Sequence, residues 1–584
     1  MLSRRYQILL IIATVLGIYY PSIWGEFNSL DDVSIVSAFS NFDHYGLKDI
    51  FFPAAGWSTY YRPLINLSFF LDMKLWFFSE SFMHLENILL HTTNALLVYF
   101  LTVQLLSDSD KPNSYLPLAA AVCFGLHPLN TESVNWIAAR TDVIACFFVL
   151  LSVSMLFKFK EKHKVRFVIA SLIFLLFGVL SKEVVLALVP GFLLILTATK
   201  RSQPAMSVAP STLAGRRFAY VFPLALTIAA VWLFVEIKAH YLTYFSYKNK
   251  IGLSLMFIFS DLGHALFVFL RAFGFYLKKL FLPWPLNFAI LEVDPLYELL
   301  AIPLVALFVY ISARRNFVSA TFTAGLLLIT PVFLIAYNQI AWTPYAERYM
   351  YAPSALIIPA VIVYAGSRAI DVSWVKSLKF GLTIALVLVI SATTLRRNMT
   401  WMSNLTLYKD TVEKSPDFDK VRNEYGVALI KKGNYAEARV QLLKAKQLCS
   451  FEYDPNPDIN LAYILNMEGK HDEALKVYKE IEIKTKGKNP SAYIALIAYY
   501  DIMMTREKDH RKVREMQKDM ASCYQKLYLL DKNPHDLYML GFLMNVMDDK
   551  ERSLKYYREA YDKFPERNEF KDHAKKIIMR LEKE

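Results

Sequence analysis

The chain has 584 residues, is 55% hydrophobic and 15% aromatic, and carries a net charge of +13 with positive mean hydropathy. That balance excludes an ordinary soluble enzyme and describes a polytopic membrane protein with a soluble part. The positive charge suits cytoplasmic loops facing anionic lipid and does not itself argue for nucleic acid. Four scattered cysteines are too few for a disulfide framework or a zinc site. Cys123 and Cys146 fall in apolar segments as small core residues, and Cys449 and Cys523 in the soluble tail would pair only in an oxidising compartment.

In chain order, the first apolar run extends from Tyr6 to Trp24, about the length that crosses a bilayer, and follows Arg4 and Arg5. It is too long for a cleavable signal peptide, no small-residue cleavage site follows, and more spans come after it. Basic residues favour the cytoplasmic side, so Leu30-Asp31-Asp32 should emerge on the outer face. Adjacent carboxylates at a membrane surface are costly to keep ionised without compensating cations. A helix cap or a solvated loop is the plain alternative. The long aromatic loop 25–85 should carry amphipathic helices on the membrane surface.

Further apolar runs at 86–106, 115–136, 142–158, 166–180, 184–199, 218–238, 295–312, 318–337, 353–368 and 376–394 bring the expected spans to about 11. Basic connections at 158–166, 200–217 and 313–316 alternate with less basic ones, and Lys376 and Lys379 agree with them. An odd number places the C-terminus outside, with Arg396 and Arg397 as basic exceptions there. The stretch 239–294, containing Asp261, His264 and Arg271, reads as external interfacial or re-entrant helices packed on protein. The expected division is a membrane domain over 1–394, a linker over 395–409 and a soluble helical domain over 410–584. In that last part, 423–445 and 459–481 share one pattern, and units from Pro490 and up to Pro565 repeat it more loosely. The spacing is that of tetratricopeptide repeats, helix pairs stacked so that each buries the next one's apolar face, with a plain helical bundle as the alternative. The predicted fold is all-α: a polytopic membrane bundle followed by a solenoid.

Charged residues cluster at the outer ends of these spans. After Asp31 and Asp32 come Tyr60, Tyr61, Arg62, Asn66, Asp72, His84, Asn87 and His91. His127 and Glu132 lead through Trp136 to Arg140 and Asp142; Ser181-Lys182-Glu183 and Trp342 through Glu347-Arg348-Tyr349 complete the set. Ionisable residues near a membrane are expensive and usually pair or line a cavity. Ion pairing between helix ends explains any one of these junctions, but four together point to chemistry. A carboxylate can take the proton of a hydroxyl acceptor, and Arg and Lys can neutralise a departing phosphate. Phosphate leaves readily, so no general acid is required, unlike a glycosidase with two carboxylates about the bond. Residue by residue, Tyr60, Tyr61, Trp136 and Trp342 fit interface anchors better than sugar platforms. His84 and His91, seven apart on one helix face, fit interhelical hydrogen bonding better than metal binding. Glu132 fits a cap for the helix leading to Arg140.

Taken together, LDD after the first span, YYRPLINLSFFLD, HLENILLHTTNALLVYFL, FGLHPLNTESVNWIAARTD, SKE, YAERYMYAPS and RRNMTW before the repeats resemble the GT-C glycosyltransferases. The likeness is strongest to the transmembrane and tetratricopeptide-repeat-containing branch related to protein O-mannosyltransferases, and it covers nearly the whole chain in order. It implies transfer of one sugar from a dolichyl- or undecaprenyl-phosphate donor to a hydroxyl acceptor, a protein Ser or Thr, on the lumenal or periplasmic face. It also implies an acidic base in the first external loop: by position Asp31, with Asp32 second. Charge and position then suggest Arg62, Arg140, Lys182 and Arg348 as phosphate-facing cations, with Tyr61, His127, Glu132, Glu183 and Glu347 in support. Ala138-Ala139 stands where that family often has glycine before the arginine, leaving the local backbone in question. No cofactor is expected beyond the polyprenyl-phosphate sugar, and no residue set argues for a divalent metal. The repeats would bind a protein acceptor or partner. A glycan- or lipid-modifying transferase and a non-catalytic repeat scaffold are the competing functions. A transporter would need broken or charged helices at the bilayer midplane. Short charged loops and no retention signal favour a bacterial inner membrane, with the endoplasmic reticulum membrane as the eukaryotic counterpart.

Overall fold

A computed structural model of the chain describes residues 3–40, 46–52, 61–106, 115–198, 259–314, 316–338, 343–366, 373–449, 453–564 and 569–583. Among these the structure is helical throughout, with no strand and a single isolated backbone bridge between Ile290 and Tyr345. The chain divides between Asp410 and Thr411 into two units.

In the first unit, six helices are long and apolar enough to cross a membrane: Arg4–Trp24, Glu80–Leu106, Ile137–Lys162, Phe317–Tyr337, Glu347–Gly366 and Gly381–Trp401. Four shorter apolar helices, Leu116–Gly125, Val165–Ser181, Glu183–Thr197 and Leu296–Ser312, fall on other expected spans. All ten of these helices fall on expected spans, and the remaining expected span, 218–238, lies outside the described residues. The run 115–136 differs most. Its helix stops at Gly125, His127-Pro128 opens a short 3-10 turn, and a separate helix covers Thr131–Asn135. Proline has no N–H for a continuing helix and constrains the residue before it, so the break is local chemistry.

Small residues set the helix spacing. A Cβ on Gly125 would sit 2.6 Å from Val15 Cγ2 and 3.3 Å from Ala95 Cβ, so three helices pack there with the side chains of two against the bare glycine of the third. Beside that contact His91 is buried, with Nδ1 2.7 Å from the Tyr351 hydroxyl and Nε2 2.9 Å from the Gly125 carbonyl. These are interhelical hydrogen bonds that satisfy both ring nitrogens. Within 239–294, of which 239–258 lies outside the described residues, Leu262–Phe281 is one helix. Asp261 caps it by accepting from the His264 amide at 2.9 Å, and Arg271 pairs with Glu298. Leu266 and Phe267 are exposed, whereas Ala272–Leu277 is buried.

The second unit is a succession of antiparallel helix pairs: Asp419–Lys431 with Tyr435–Leu448, Asn456–Met467 with His471–Lys484, Pro490–Arg506 with His510–Asp531, and Pro534–Val546 with Lys550–Lys563, closed by Glu569–Leu581. Each helix packs against the next, as in a chain of local contacts. The recurring turn has one geometry. Gly433 and Gly469 adopt φ of +77° and +83°, and the following amides, Asn434 and Lys470, donate to carbonyls five residues back. Asp548 takes the same left-handed place in the fourth pair, with Asp549 donating to Met544. This left-handed stop satisfies the last carbonyls of the first helix and reverses the chain. Cys523 is a buried free thiol.

Candidate active site

The sequence-predicted residues lie at one end of the first unit's helices, where the breaks after Gly125, Ser181 and before Tyr351 bring polar side chains together. Asp32 begins the helix Asp32–Ser40 and is 1% exposed. One carboxylate oxygen accepts from the Asn28 amide at 2.9 Å and the other from the Ala138 amide at 2.8 Å. Asp32 thus ties the acidic loop to the turn before Arg140. Burial pushes its pKa up to about 7 against those two bonds. Asp31 differs. It is half-buried, and its side chain has no hydrogen-bond partner among the described residues. Burial raises its pKa, and the Arg348 guanidinium opposes the rise. Ala138 and Ala139 need no glycine: Ala139 has φ of −78°, and the Ala138 amide is the donor to Asp32.

Arg348 is the second residue of the short 3-10 helix Glu347–Met350. Its backbone N–H donates to Glu132 at 3.0 Å, and its Nη1 reaches the other oxygen of the same carboxylate. The guanidinium lies 4.9 Å from the ring centroids of both Trp136 and Tyr349. Its Nε and Nη2 have no hydrogen-bond partner among the described residues. Lys182 also lies near Tyr349, 5.6 Å from its ring, and donates to Asp142 at 2.5 Å. Burial lowers the Lys182 pKa, Asp142 opposes this, and the charges of Arg62 and Arg348 lower it further. Arg62 is held by Glu183 in a two-pronged pair at 3.0 and 2.8 Å. Three cations are therefore close enough to act on one another, each neutralised by its own carboxylate.

Other expected members do something else. Arg140 is fully buried and donates to Asp72 at 2.5 Å, Asn87 at 2.7 Å and the Met83 carbonyl at 3.0 Å, with Glu86 at 3.2 Å. With that set of acceptors it offers nothing to a phosphate and acts as a tie between helices. His127 caps its own 3-10 turn through Nδ1, which accepts from Leu129 at 3.3 Å, while Nε2–H donates to the Leu280 carbonyl at 2.9 Å. Burial lowers its pKa to about 4, so it is a neutral structural residue. Glu132 is a clamp on Arg348 rather than a helix cap. The Tyr61 hydroxyl donates to the Phe51 carbonyl at 2.9 Å, and both Tyr61 and Trp136 are buried rather than interfacial. Tyr60 and Trp342 lie outside the described residues. Glu347 faces away from Arg348 and accepts from Lys279 at 2.7 Å and the Asn287 amide at 2.9 Å.

Lys279 was not legible in the sequence as part of this region. Its only signal was a pair of lysines ending an otherwise apolar helix. No group of three or more His, Cys, Asp or Glu side chains among the described residues has the arrangement of a metal site. What the arrangement can do is hold a carboxylate near unengaged guanidinium donors in a largely buried setting, as group transfer from a phosphate carrier requires.

Fold and site together define an all-α protein with membrane-length apolar helices and a cluster of acidic and basic side chains at their ends. No protein-family profile matches the chain. It is similar to a protein O-mannosyl-transferase of Caenorhabditis elegans, 26% identical over 383 residues that cover 63% of this chain and 51% of that one. It is also similar to protein O-mannosyl-transferase TMTC1 of Mus musculus, 36% identical over 95 residues, 16% of this chain and 9% of the mouse protein. Protein O-mannosyl-transferase TMTC2 of Homo sapiens is 38% identical over 92 residues, covering 16% and 10% of the two chains. The chain thus matches about half the length of the worm relative and a small part of the mammalian ones. All three likenesses are to proteins named protein O-mannosyl-transferase, at modest identity.

Proposed function

We propose that the chain is a GT-C-type membrane glycosyltransferase that moves one sugar from a polyprenyl-phosphate carrier to a protein Ser or Thr hydroxyl. The relatives' name makes mannose the sugar to test first. The observation that carries the reading is Asp31, whose carboxylate is unengaged among the described residues and feels the Arg348 charge, while its neighbour Asp32 is pinned. Of the two acids, this makes Asp31 the base and Asp32 its anchor.

Asp31 accepts the hydroxyl proton as the acceptor oxygen bonds to the anomeric carbon. The bond from that carbon to the phosphate oxygen breaks, and the phosphate leaves with both electrons. The free donors of Arg348, with Lys182 beside it, neutralise the growing charge. A single displacement inverts the anomeric centre. Arg62 holds Glu183 and through it the Lys182 segment. The helix pairs beyond Thr411 are read as tetratricopeptide repeats that bind acceptor or partner, on the same side of the membrane as Asp31. The relatives named above are animal proteins, which favours the endoplasmic reticulum membrane over a bacterial one, with the N-terminus cytoplasmic.

The test is transfer by the full chain in lipid nanodiscs from polyprenyl-phosphate mannose to a Ser/Thr-containing protein. Asp31→Asn should abolish transfer while leaving expression and donor binding intact. Undiminished transfer by that variant would remove the base assignment. Absence of transfer by the unaltered chain, against a panel of glycan and lipid acceptors as well, would favour the scaffold reading.

A further inference from the structure

The segment expected to be a linker is built into the acidic loop. Residues up to Trp401 continue the last apolar helix, and a new helix, Asn404–Lys414, starts after a short turn. Its first residues are hydrogen-bonded to the four residues Glu26–Ser29 that precede Leu30-Asp31. The Asn404 side chain accepts from the Ser29 amide at 3.1 Å and donates to the Phe27 carbonyl at 2.8 Å. The Glu26 carboxylate accepts from the Asn404 amide at 3.2 Å, and the Glu26 amide donates to the Met402 carbonyl at 3.1 Å. Tyr408, fully buried one turn on, donates to the Asn28 side chain at 3.1 Å and lies 2.9 Å from the Ser29 hydroxyl.

Asn28 makes this more than a surface attachment. The side-chain oxygen that meets Tyr408 also accepts from the Leu30 amide at 3.0 Å. The backbone of Asn28 bonds Asp32 in both directions: its amide donates to the Asp32 carboxylate, and its carbonyl accepts from the Asp32 amide at 3.1 Å. Asp31 sits between Leu30 and Asp32, with both flanks fixed and its own carboxylate left to the site. A free loop of this length would sample many backbone states, and fixing each residue costs about 1–2 kcal/mol of conformational entropy. Hydrogen bonds from one short helix start meet that cost.

We infer that Asn404 and Tyr408 are positioning residues for the Asp31 base, holding the backbone on which it is presented through Ser29 and Asn28. This rests on the proposed function for what Asp31 does. A base displaced by about 1 Å can lose about 100-fold in rate, so the effect should fall on turnover and not on donor affinity.

The experiment uses the full chain in nanodiscs with polyprenyl-phosphate mannose, comparing Tyr408→Phe, Asn404→Ala, Asn404→Asp and Asp31→Asn. Tyr408→Phe keeps the ring, which packs 6.4 Å from that of Phe288, and removes only the hydroxyl. Expected are a roughly 10-fold fall in kcat for Tyr408→Phe and a larger one for Asn404→Ala, with donor KM unchanged. Asn404→Asp, which keeps the acceptor for Ser29, should recover part of the loss. Amide exchange should quicken in the 26–40 peptide and nowhere else. Wild-type kcat in both Tyr408→Phe and Asn404→Ala overturns the inference, as does faster exchange spread over the whole first unit, which marks a merely structural role. Activity in Asp31→Asn would sink the base reading itself. An inactive Asp31→Asn beside wild-type kcat in both Tyr408→Phe and Asn404→Ala sinks the positioning role alone.

Discussion

Replacing Arg140 separates a structural arginine from a phosphate-binding one. Its guanidinium is fully buried and meets Asp72, Asn87, Glu86 and the Met83 carbonyl, with its charge 5.2 Å from the Phe69 ring. Arg140→Ala strands the Asp72 carboxylate, which is also fully buried, and leaves the Asn87 side-chain oxygen without its donor. Removing one partner of a buried pair costs about 3–5 kcal/mol, and an orphaned neutral acceptor adds about 1–3 kcal/mol. The full chain in nanodiscs should therefore unfold at a clearly lower temperature by intrinsic fluorescence, and the fraction that stays folded should bind donor normally. Asp72→Leu combined with Arg140→Met should recover most of the loss, because an apolar pair of similar volume avoids the desolvation cost. An unchanged unfolding midpoint in Arg140→Ala together with a raised donor KM would refute this reasoning and restore a phosphate-facing role.

Arg348→Ala should raise donor KM about 10- to 100-fold, the equivalent of one charge-assisted contact of 1.5–3 kcal/mol, with acceptor KM unchanged. The same substitution removes the positive charge that opposes the upward shift of Asp31, so the acid limb of the kcat/KM profile should move to higher pH. A limb that moves down, or stays, would contradict the influence of the Arg348 charge on Asp31. Asp32 has a folded pKa near 7, above its ordinary value of 3.8, so its contribution to stability is fully present below about pH 4 and is lost as pH rises through 7. Across that window the difference is about 4 kcal/mol, and Asp32→Asn should flatten the thermal stability profile there; a profile as steep as that of the unaltered chain counts against it. Glu347→Gln should weaken the hold on Lys279 and lower stability without changing donor KM, whereas Glu132→Gln, acting on Arg348, should change both.

Hydropathy and the positive-inside pattern carried the all-α membrane class, because a helix that crosses lipid must be long and apolar regardless of its neighbours. Where runs were interrupted, as at Gly125-Leu126-His127-Pro128, length alone joined what the backbone separates. Residue type likewise exposed the cations and carboxylates, but not which would meet. Arg140 and Arg348 look equivalent in sequence, and only the fold gives one a full set of acceptors and leaves the other with free donors. Asp31 and Asp32 are adjacent and chemically identical. The amides of Asn28 and Ala138, the latter more than a hundred residues away in the chain, tell them apart. Asn404 and Tyr408 were hidden because polar residues after a last span read as a connection, and nothing local reveals that their partners lie near the chain's start.

The charge pairs follow a rule that bears on turnover. Lys182-Glu183 and Glu347-Arg348 are adjacent opposite charges on non-helical or 3-10 backbone, and each dipeptide reaches in two directions at once. Lys182 goes to Asp142 while Glu183 takes Arg62; Arg348 goes to Glu132 while Glu347 takes Lys279. Such pairing lets buried cations persist without substrate, since an uncompensated buried charge costs several kcal/mol. On the proposed reaction, an arriving phosphate does not displace these carboxylates but uses the donors they leave over. Its hold is therefore set by the second half of the Arg348 guanidinium and the remaining Lys182 protons. Lysine at position 348 could keep a charge near Glu132 but has no planar fork to serve carboxylate and phosphate together. Arg348→Lys should consequently preserve stability better than Arg348→Ala while losing nearly as much donor affinity. A variant that recovers donor KM fully would show that charge alone, and not the divided fork, is what the site requires.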